Sequence, residues 1–300
     1  MRVPLDFGLV LQPGWRPLDP PDILTFNEEA IRRLSPAFTT LWTEDHFQKA
    51  NNPALESWTT LTYMAARHER FRVGNLVLGQ SYRNPAHLAK MAATLQYLSR
   101  GRLILGIGAG WQEDEYEAYG YAFPSAGTRI AQLGEAIDVL RAMWGDGPAT
   151  YHGAHYHVEN ATCEPRPAPA PPIIVGGNGA KTIMVAARQA DGWNSTAPIA
   201  LFRERVAQLR THLREAGRDA DGFWTSMYYH LQFTDDTTAF TPWQAELERM
   251  GIVLLGPTPA AALAQLRPYV ELGVAHHAVK PYDLATIERF AAEVVPALVG

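Results

Sequence analysis

Short apolar runs alternate with stretches whose apolar residues recur at helical spacing along this whole chain, and that alternation constrains the fold more than any other feature. Strands are expected at 5–11, 39–43, 71–78, 103–107, 173–175, 192–194, 224–233 and 275–280, with helices at 85–98, 129–144, 180–189, 201–216, 259–272 and 284–298. In the first of these helices Leu88, Met91, Ala92, Leu95 and Leu98 fall on one face, with Pro85 suited to the first turn. Strands in alternation with helices imply parallel pairing through crossover helices. Eight such units in 300 residues suit a closed (β/α)8 TIM barrel, one domain spanning 1–300, better than a doubly wound open sheet. The alternation by itself leaves the open sheet available. The proline-rich stretch 165–172 reads as a stiff extended connector into the strand at 173, the alternative being a domain boundary.

Composition narrows the partners. A net charge of -5 with no Lys/Arg run supplies no footprint for nucleic acid. No apolar run approaches the ~18 residues of a membrane span, and the first residues lack a secretory signal pattern, so a cytoplasmic protein is expected. The single cysteine, Cys163, excludes an intramolecular disulfide. The expected partner is a small molecule.

Four segments carry candidate chemistry. Asp45 and His46 follow the strand at 39–43, at the C-terminal rim where barrels concentrate catalytic groups, and a histidine beside a carboxylate suits proton exchange near neutrality. The equally simple reading is a loop histidine next to a helix cap. In the run 102–111, Gly106, Gly108 and Gly110 follow a buried strand; Trp111 occupies the place where a Rossmann fingerprint wants its third glycine. In 173–181 a strand again runs into Gly176, Gly177, Asn178 and Gly179, with Lys181 nearby. Two glycine-rich strand-to-helix turns suit a ligand bearing a phosphate, although tight turning alone also asks for glycine. In 74–85 a strand ends abruptly in polar residues, where Arg83 or Asn84 caps the next helix or meets a ligand. The histidines at 152, 155 and 157 place His155 and His157 on one face of a possible hairpin. Zinc would need a further ligand or an open water position, and no metal is expected. His276 and His277 read as packing or rim polarity.

Taken in order, Asp45-His46-Phe47-Gln48, the runs 55–61, 72–78, 82–86, 92–95 and 101–111, then 175–179 and 190–194, resemble the bacterial luciferase-like monooxygenase superfamily over nearly the whole chain. The Asp-His-Phe-Gln segment is most similar to the branch using the deazaflavin coenzyme F420 rather than FMN. The resemblance implies a luciferase-like barrel with insertion loops at its C-terminal rim, where the coenzyme sits. It implies a non-prolyl cis peptide at Leu76–Val77 behind the deazaflavin ring, with Gly79 beside it. It further implies that Asp45 helps hold the ring and that His46 gives or takes a proton. Gly108, Ala109, Gly110 and Trp111, with Gly176, Gly177, Asn178 and Gly179, would line the phosphate and side-chain path. The implied activity is hydride transfer between the deazaflavin C5 and a small organic substrate, in a homodimer. The alternatives are an FMN-dependent monooxygenase, a barrel that carries the deazaflavin without turnover, and, furthest away, a zinc hydrolase. Some deazaflavin dehydrogenases have a catalytic carboxylate where Trp111 stands, so their sugar-phosphate chemistry does not carry over. The segment 12–22, with Trp15, is expected to shape the substrate pocket.

Overall fold

The computed structural model describes residues 5–299 apart from 15–17, 20 and 49–51; Trp15 therefore lies outside the described residues. In chain order the strands are β1 (Asp6–Val10), β2 (Phe38–Thr43), β3 (Arg72–Asn75), β4 (Leu78–Gly79), β5 (Leu103–Gly108), β6 (Ala149–His152), β7 (His157–Ala161), β8 (Ile173–Gly176), β9 (Gly192–Ser195), β10 (Trp224–Leu231), β11 (Val253–Leu255) and β12 (His276–Pro281). The helices are α1 (Ile23–Arg32), α2 (Ser57–Arg67), α3 (Pro85–Leu98), α4 (Glu113–Ala118), α5 (Ala126–Met143), α6 (Ala180–Gln189), α7 (Ile199–Glu215), α8 (Thr237–Arg249), α9 (Pro259–Glu271), α10 (Leu284–Arg289) and α11 (Pro296–Val299).

Strands β1, β2, β3, β5, β8, β9, β10 and β12 pair in parallel, and the β9–β10 and β12–β1 pairings close them into a barrel. This settles the open-sheet alternative. Alternation along each strand sorts side chains between two cores. Leu9, Leu41, Val73 and Leu105 face outward and pack under the helices, while Val10, Trp42, Ile104, Ile174, Tyr228 and Ala278 fill the barrel. Trp42 takes most of that interior because its neighbours are glycines. A Cβ on Gly8 would lie 2.3 Å from the Trp42 indole nitrogen, and one on Gly74 2.4 Å from the ring. The indole nitrogen donates to His276 Nε2 at 2.9 Å, so His276 plugs the barrel. His277 points outward beneath Tyr229, whose hydroxyl is 3.1 Å from its Nδ1. Both histidines are packing, as the sequence suggested.

Helix starts follow local chemistry. Asn84 accepts from the amides of Ala86 and His87 ahead of Pro85, Thr258 caps α9 ahead of Pro259, and Asp283 caps α10. The expected strand 71–78 is interrupted: β3 stops at Asn75, the Leu76–Val77 peptide is cis, and β4 resumes against β5. Elements not expected from periodicity are α1, α2, α4, α8 and β11. Helix α8 carries Pro242 in its interior, a residue that argues against a helix when read in isolation. The last helix is divided by a π-helical turn at Phe290–Val294. The proline-rich connector contains cis bonds before Pro165 and Pro169, and the carbonyl of Pro172 accepts from Leu105 as the chain enters β8. Among the described residues no helix is long and apolar enough to cross a membrane.

Candidate functional site at the C-terminal rim

The strand ends surround a cavity of about 730 Å³. Asp45, His46, Leu76, Val77, Gly79, Gly108, Ala109, Gly110, Trp111, Gly176, Gly177 and Asn178 all lie on its wall. Gly179 does not; it is the N-cap of α6, exposed, and Lys181 beyond it is exposed as well. The ends of β2, β4, β5, β8, β9, β10 and β12 deliver residues to the same opening, which is why segments as far apart as Glu44 and Tyr282 meet.

The first wall is built from backbone. Asn75, fully buried, donates to Thr43 Oγ1 and Ser57 Oγ at 2.9 Å each, which fixes the end of β3. Beyond it the cis peptide directs Val77 against the two glycine turns. A Cβ on Gly108 would lie 2.8 Å from Val77 Cγ2, one on Gly176 2.7 Å from Val77 Cγ1, and one on Gly106 1.9 Å from the Asn75 carbonyl. These glycines thus make room for the bulge, a reason distinct from the close phosphate approach expected of them. Gly110 and Gly177 are glycines for conformational reasons, with φ of +78° and +134°. Helix α6 then starts without a side-chain cap, with Gly177, Asn178 and Thr182 at the cavity edge. The Asn178 side chain is clamped between Ser195 Oγ at 2.7 Å and Thr196 Oγ1 at 3.1 Å.

Asp45 is buried, and both of its oxygens are engaged. Arg83 grips it with two bonds of 2.8 and 2.9 Å, and the Gly79 amide donates to it at 2.9 Å. Its carboxylate therefore secures the turn after the bulge, and any hold on a ring is through that turn. Arg83 also bonds Glu56 at 2.8 Å; burial works against its charge, but the two carboxylates raise its pKa further. Asn84, not Arg83, caps the following helix.

His46 presents Nδ1 to Glu115 Oε2 at 2.9 Å, and its ring meets Trp111 edge to face with centroids 5.8 Å apart. Glu115 is fully buried and also accepts from the amides of Phe47 and Gln48 at 3.0 and 3.2 Å. An acceptor-only carboxylate on Nδ1 selects the tautomer in which Nε2 is the basic nitrogen. The sequence reading missed Glu115. The signal available was the acidic opening of α4, three carboxylates and no capping side chain, directly after the glycine turn.

The second wall is built from side chains, and the sequence reading missed nearly all of it. Tyr228 and His230 lie two residues apart on the inward face of β10, Lys280 and Tyr282 follow from β12, and Glu44 precedes Asp45. Burial pushes the Glu44 carboxyl up, but Lys280, with which it forms a buried ion pair, and the nearby His46 and His230 more than reverse this and hold it below the usual range. Burial, then the charge of Glu44, raises the Tyr228 phenol well above its ordinary value. Trp243 and Leu247 reach the same wall from α8, Met250 from its C-cap, and Ile252 from just before β11.

The histidine cluster lies elsewhere. His152 and His157 are register partners on the β6–β7 hairpin with rings stacked 4.4 Å apart, and His152 Nε2 bonds Glu159 at 2.8 Å. His155 sits in the turn, where its amide donates to Glu135. The group His152, His157 and Glu159 is exposed and, among the described residues, has no fourth member.

A parallel barrel with a non-prolyl cis bulge between glycine turns and an Asp-His pair at its rim defines a class of barrel, and the family model for luciferase-like monooxygenases matches residues 35–280. The chain belongs to the luciferase-like monooxygenase family. Among relatives, the F420-dependent glucose-6-phosphate dehydrogenase of Kineococcus radiotolerans is 28% identical over 310 aligned positions, covering 90% of this chain and 91% of the relative. The protein of the same name from Microbacterium testaceum is 30% identical over 245 positions, covering 79% and 70%. Of solved structures, an F420-dependent secondary alcohol dehydrogenase in complex with an F420-acetone adduct superposes with a TM-score of 0.85 at 20% identity, covering 99% of both chains. The F420-dependent tetrahydromethanopterin reductase of Methanopyrus kandleri gives 0.78 at 19% identity, covering 98% of this chain and 99% of the other.

Proposed function

We propose that this protein is an F420-dependent oxidoreductase acting on a small organic substrate. The observation that carries the reading is convergence: the cis bulge, the Asp45–His46 pair and both glycine turns meet on one cavity. Relatives named as F420-dependent dehydrogenases, similar over nine-tenths of the chain, support the same choice of coenzyme.

The residues present fit the deazaflavin. Leu76 and Val77 offer an apolar ridge for the face of a flat ring. The glycine turns and the uncapped start of α6 offer backbone amides and a positive helix end to a phosphate. When bound, the coenzyme supplies a carbon that accepts or gives a hydride. The chain's own work is positioning, exclusion of water and proton management. Asp45 and Arg83 lock the turn after the bulge, which would support a bound ring. Glu115 holds the loop 46–48 and orients His46, whose Nε2 is placed to exchange a proton with a ligand seated on the first wall.

A second copy of the chain is the partner we assign to the α2–α3 face, where Tyr63, Tyr97 and Leu98 are exposed. Light scattering on the purified protein tests this: a dimer mass supports it and a monomer mass ends it.

Parallel calorimetric titrations of the protein with oxidised F420 and with FMN test the main proposal. Micromolar or tighter F420 binding with little FMN affinity is expected. A preference for FMN moves the assignment to an oxygen-activating monooxygenase, and binding of neither ligand defeats it.

A further inference from the structure

The second wall stands apart from the residues assigned above to the ring, and its polar groups form a directed chain that ends in the cavity. Glu44 is buried and ionised against Lys280, so it only accepts, and Tyr228 must donate to it, at 2.8 Å. The Tyr228 oxygen then receives the hydrogen on His230 Nε2, 3.0 Å away. His230 Nδ1 is consequently the imine nitrogen and accepts from the Tyr282 hydroxyl at 2.6 Å. Tyr282, His230 and Tyr228 all line the cavity. A proton arriving at Tyr282 thus has a basic nitrogen one hydrogen bond away, and the resulting imidazolium has the Glu44 carboxylate beyond Tyr228 to stabilise it.

The surroundings state what kind of molecule belongs here. Among the described residues lining the cavity, the carboxylates are Glu44, Asp45 and Glu246, and the one Lys or Arg side chain is Lys280, already paired with Glu44. A phosphate on this wall would meet Glu44 and Glu246, and no described lining residue offers it a guanidinium, so burying it there would be costly. Helix α8 and the residues after it give this wall an apolar part: Trp243 stands edge-on to Tyr282 with centroids 4.8 Å apart, and Leu247 and Ile252 line the cavity with it.

We propose that Tyr282 and His230 form a second proton-handling centre, which seats the oxygen of an uncharged hydroxyl or carbonyl compound whose apolar body packs on α8. The proposal rests on the deazaflavin reading and names its substrate class. In the oxidative direction the substrate carbon would lose a hydride, for which the deazaflavin would supply the acceptor when bound, and the O–H bond would break. The proton passes through the Tyr282 hydroxyl to His230 Nδ1, and the C=O bond forms. Two electrons and one hydrogen leave with the hydride, and the second hydrogen ends on the imidazole. Reduction of a carbonyl runs the same path backwards, with protonated His230 as the source.

The test uses the F420-loaded protein, with 1-phenylethanol, cyclohexanol and glucose 6-phosphate as probes. Tryptophan quenching is expected to report millimolar or tighter binding of at least one alcohol and none of the sugar phosphate. His230→Gln is expected to lower kcat by roughly 10²-fold or more with KM nearly unchanged, and imidazole added to His230→Ala to restore part of it. Tyr282→Phe is expected to lower kcat about as much as His230→Gln and to raise KM about tenfold, while F420 affinity stays within a few-fold of wild type. Independently of turnover, nitrogen NMR of His230 is expected to show hydrogen on Nε2 and not on Nδ1. If His230→Gln does not fold, the Tyr282→Phe data and the NMR tautomer decide. Tight glucose 6-phosphate binding, no binding of either alcohol, or variants that turn over like wild type overturn the proposal while leaving the coenzyme reading intact. Failure of the wild-type protein to bind F420 overturns both.

Discussion

The two walls of the cavity are made of different material. On the first, glycines and a cis peptide shape the backbone, and two buried carboxylates, Asp45 and Glu115, hold it from behind. On the second, five polar side chains from three strand ends compensate one another, with an apolar helix leaning over them. A wall of backbone suits a ligand common to many proteins, because its shape does not depend on which side chains fill it. A wall of side chains is free to differ from one relative to the next, and that is where a substrate is chosen.

The largest expected effect strikes the second wall. Lys280→Met leaves the Glu44 carboxylate buried without its cation and should cost about 3–5 kcal/mol in urea unfolding, whereas the pair Glu44→Gln with Lys280→Met should recover much of it. A single variant as stable as wild type would show that the ion pair does not hold this wall together. His46→Ala belongs to the first wall. Turnover should fall by roughly 10²–10⁴ while F420 still binds, and unchanged turnover would remove His46 from proton transfer.

Next in size is a contrast between glycines. Gly176→Ala pushes Val77 and the bulge away from residue 176, with Cβ contacts of 2.7 and 2.8 Å to the Val77 methyl groups, and should weaken F420 about tenfold or more. Gly101→Ala, at φ +85° with nothing near its Cβ, should cost about 1 kcal/mol of stability and leave F420 affinity alone. Equal effects on binding would mean that the bulge does not shape the site.

The smallest effect is in acid. The Glu44 carboxyl has a folded pKa below its ordinary 4.5, so its contribution is present above that value and is lost as pH falls through the lower folded one. Glu44→Gln should therefore flatten the decline of stability below pH 4.5, and Gly176→Ala should leave the slope as in wild type.

The sequence made the first wall legible because backbone devices leave local signatures: strand, then glycines, then helix, with Asp45-His46 at one strand end. Even there the reason for the glycines was hidden, since Val77 and Gly176 are remote in sequence. Gly179 looks like its neighbours in the sequence but faces solvent at the start of α6. The second wall left no such signature. Tyr228, His230 and Lys280 read as ordinary strand residues, and only barrel closure brings β10 and β12 beside the end of β2. Pro242 concealed α8, whose apolar side chains complete the cavity. Barrel strands were legible throughout because their alternation is local; the cluster depends on the ring they form.

The division of labour between the walls is tested most directly by calorimetric titration of F420 into wild type, Gly176→Ala and Tyr282→Phe. The account predicts that Gly176→Ala alone loses affinity, by about tenfold or more, with Tyr282→Phe close to wild type. Loss of F420 affinity in Tyr282→Phe with none in Gly176→Ala would contradict it and exchange the roles of the two walls.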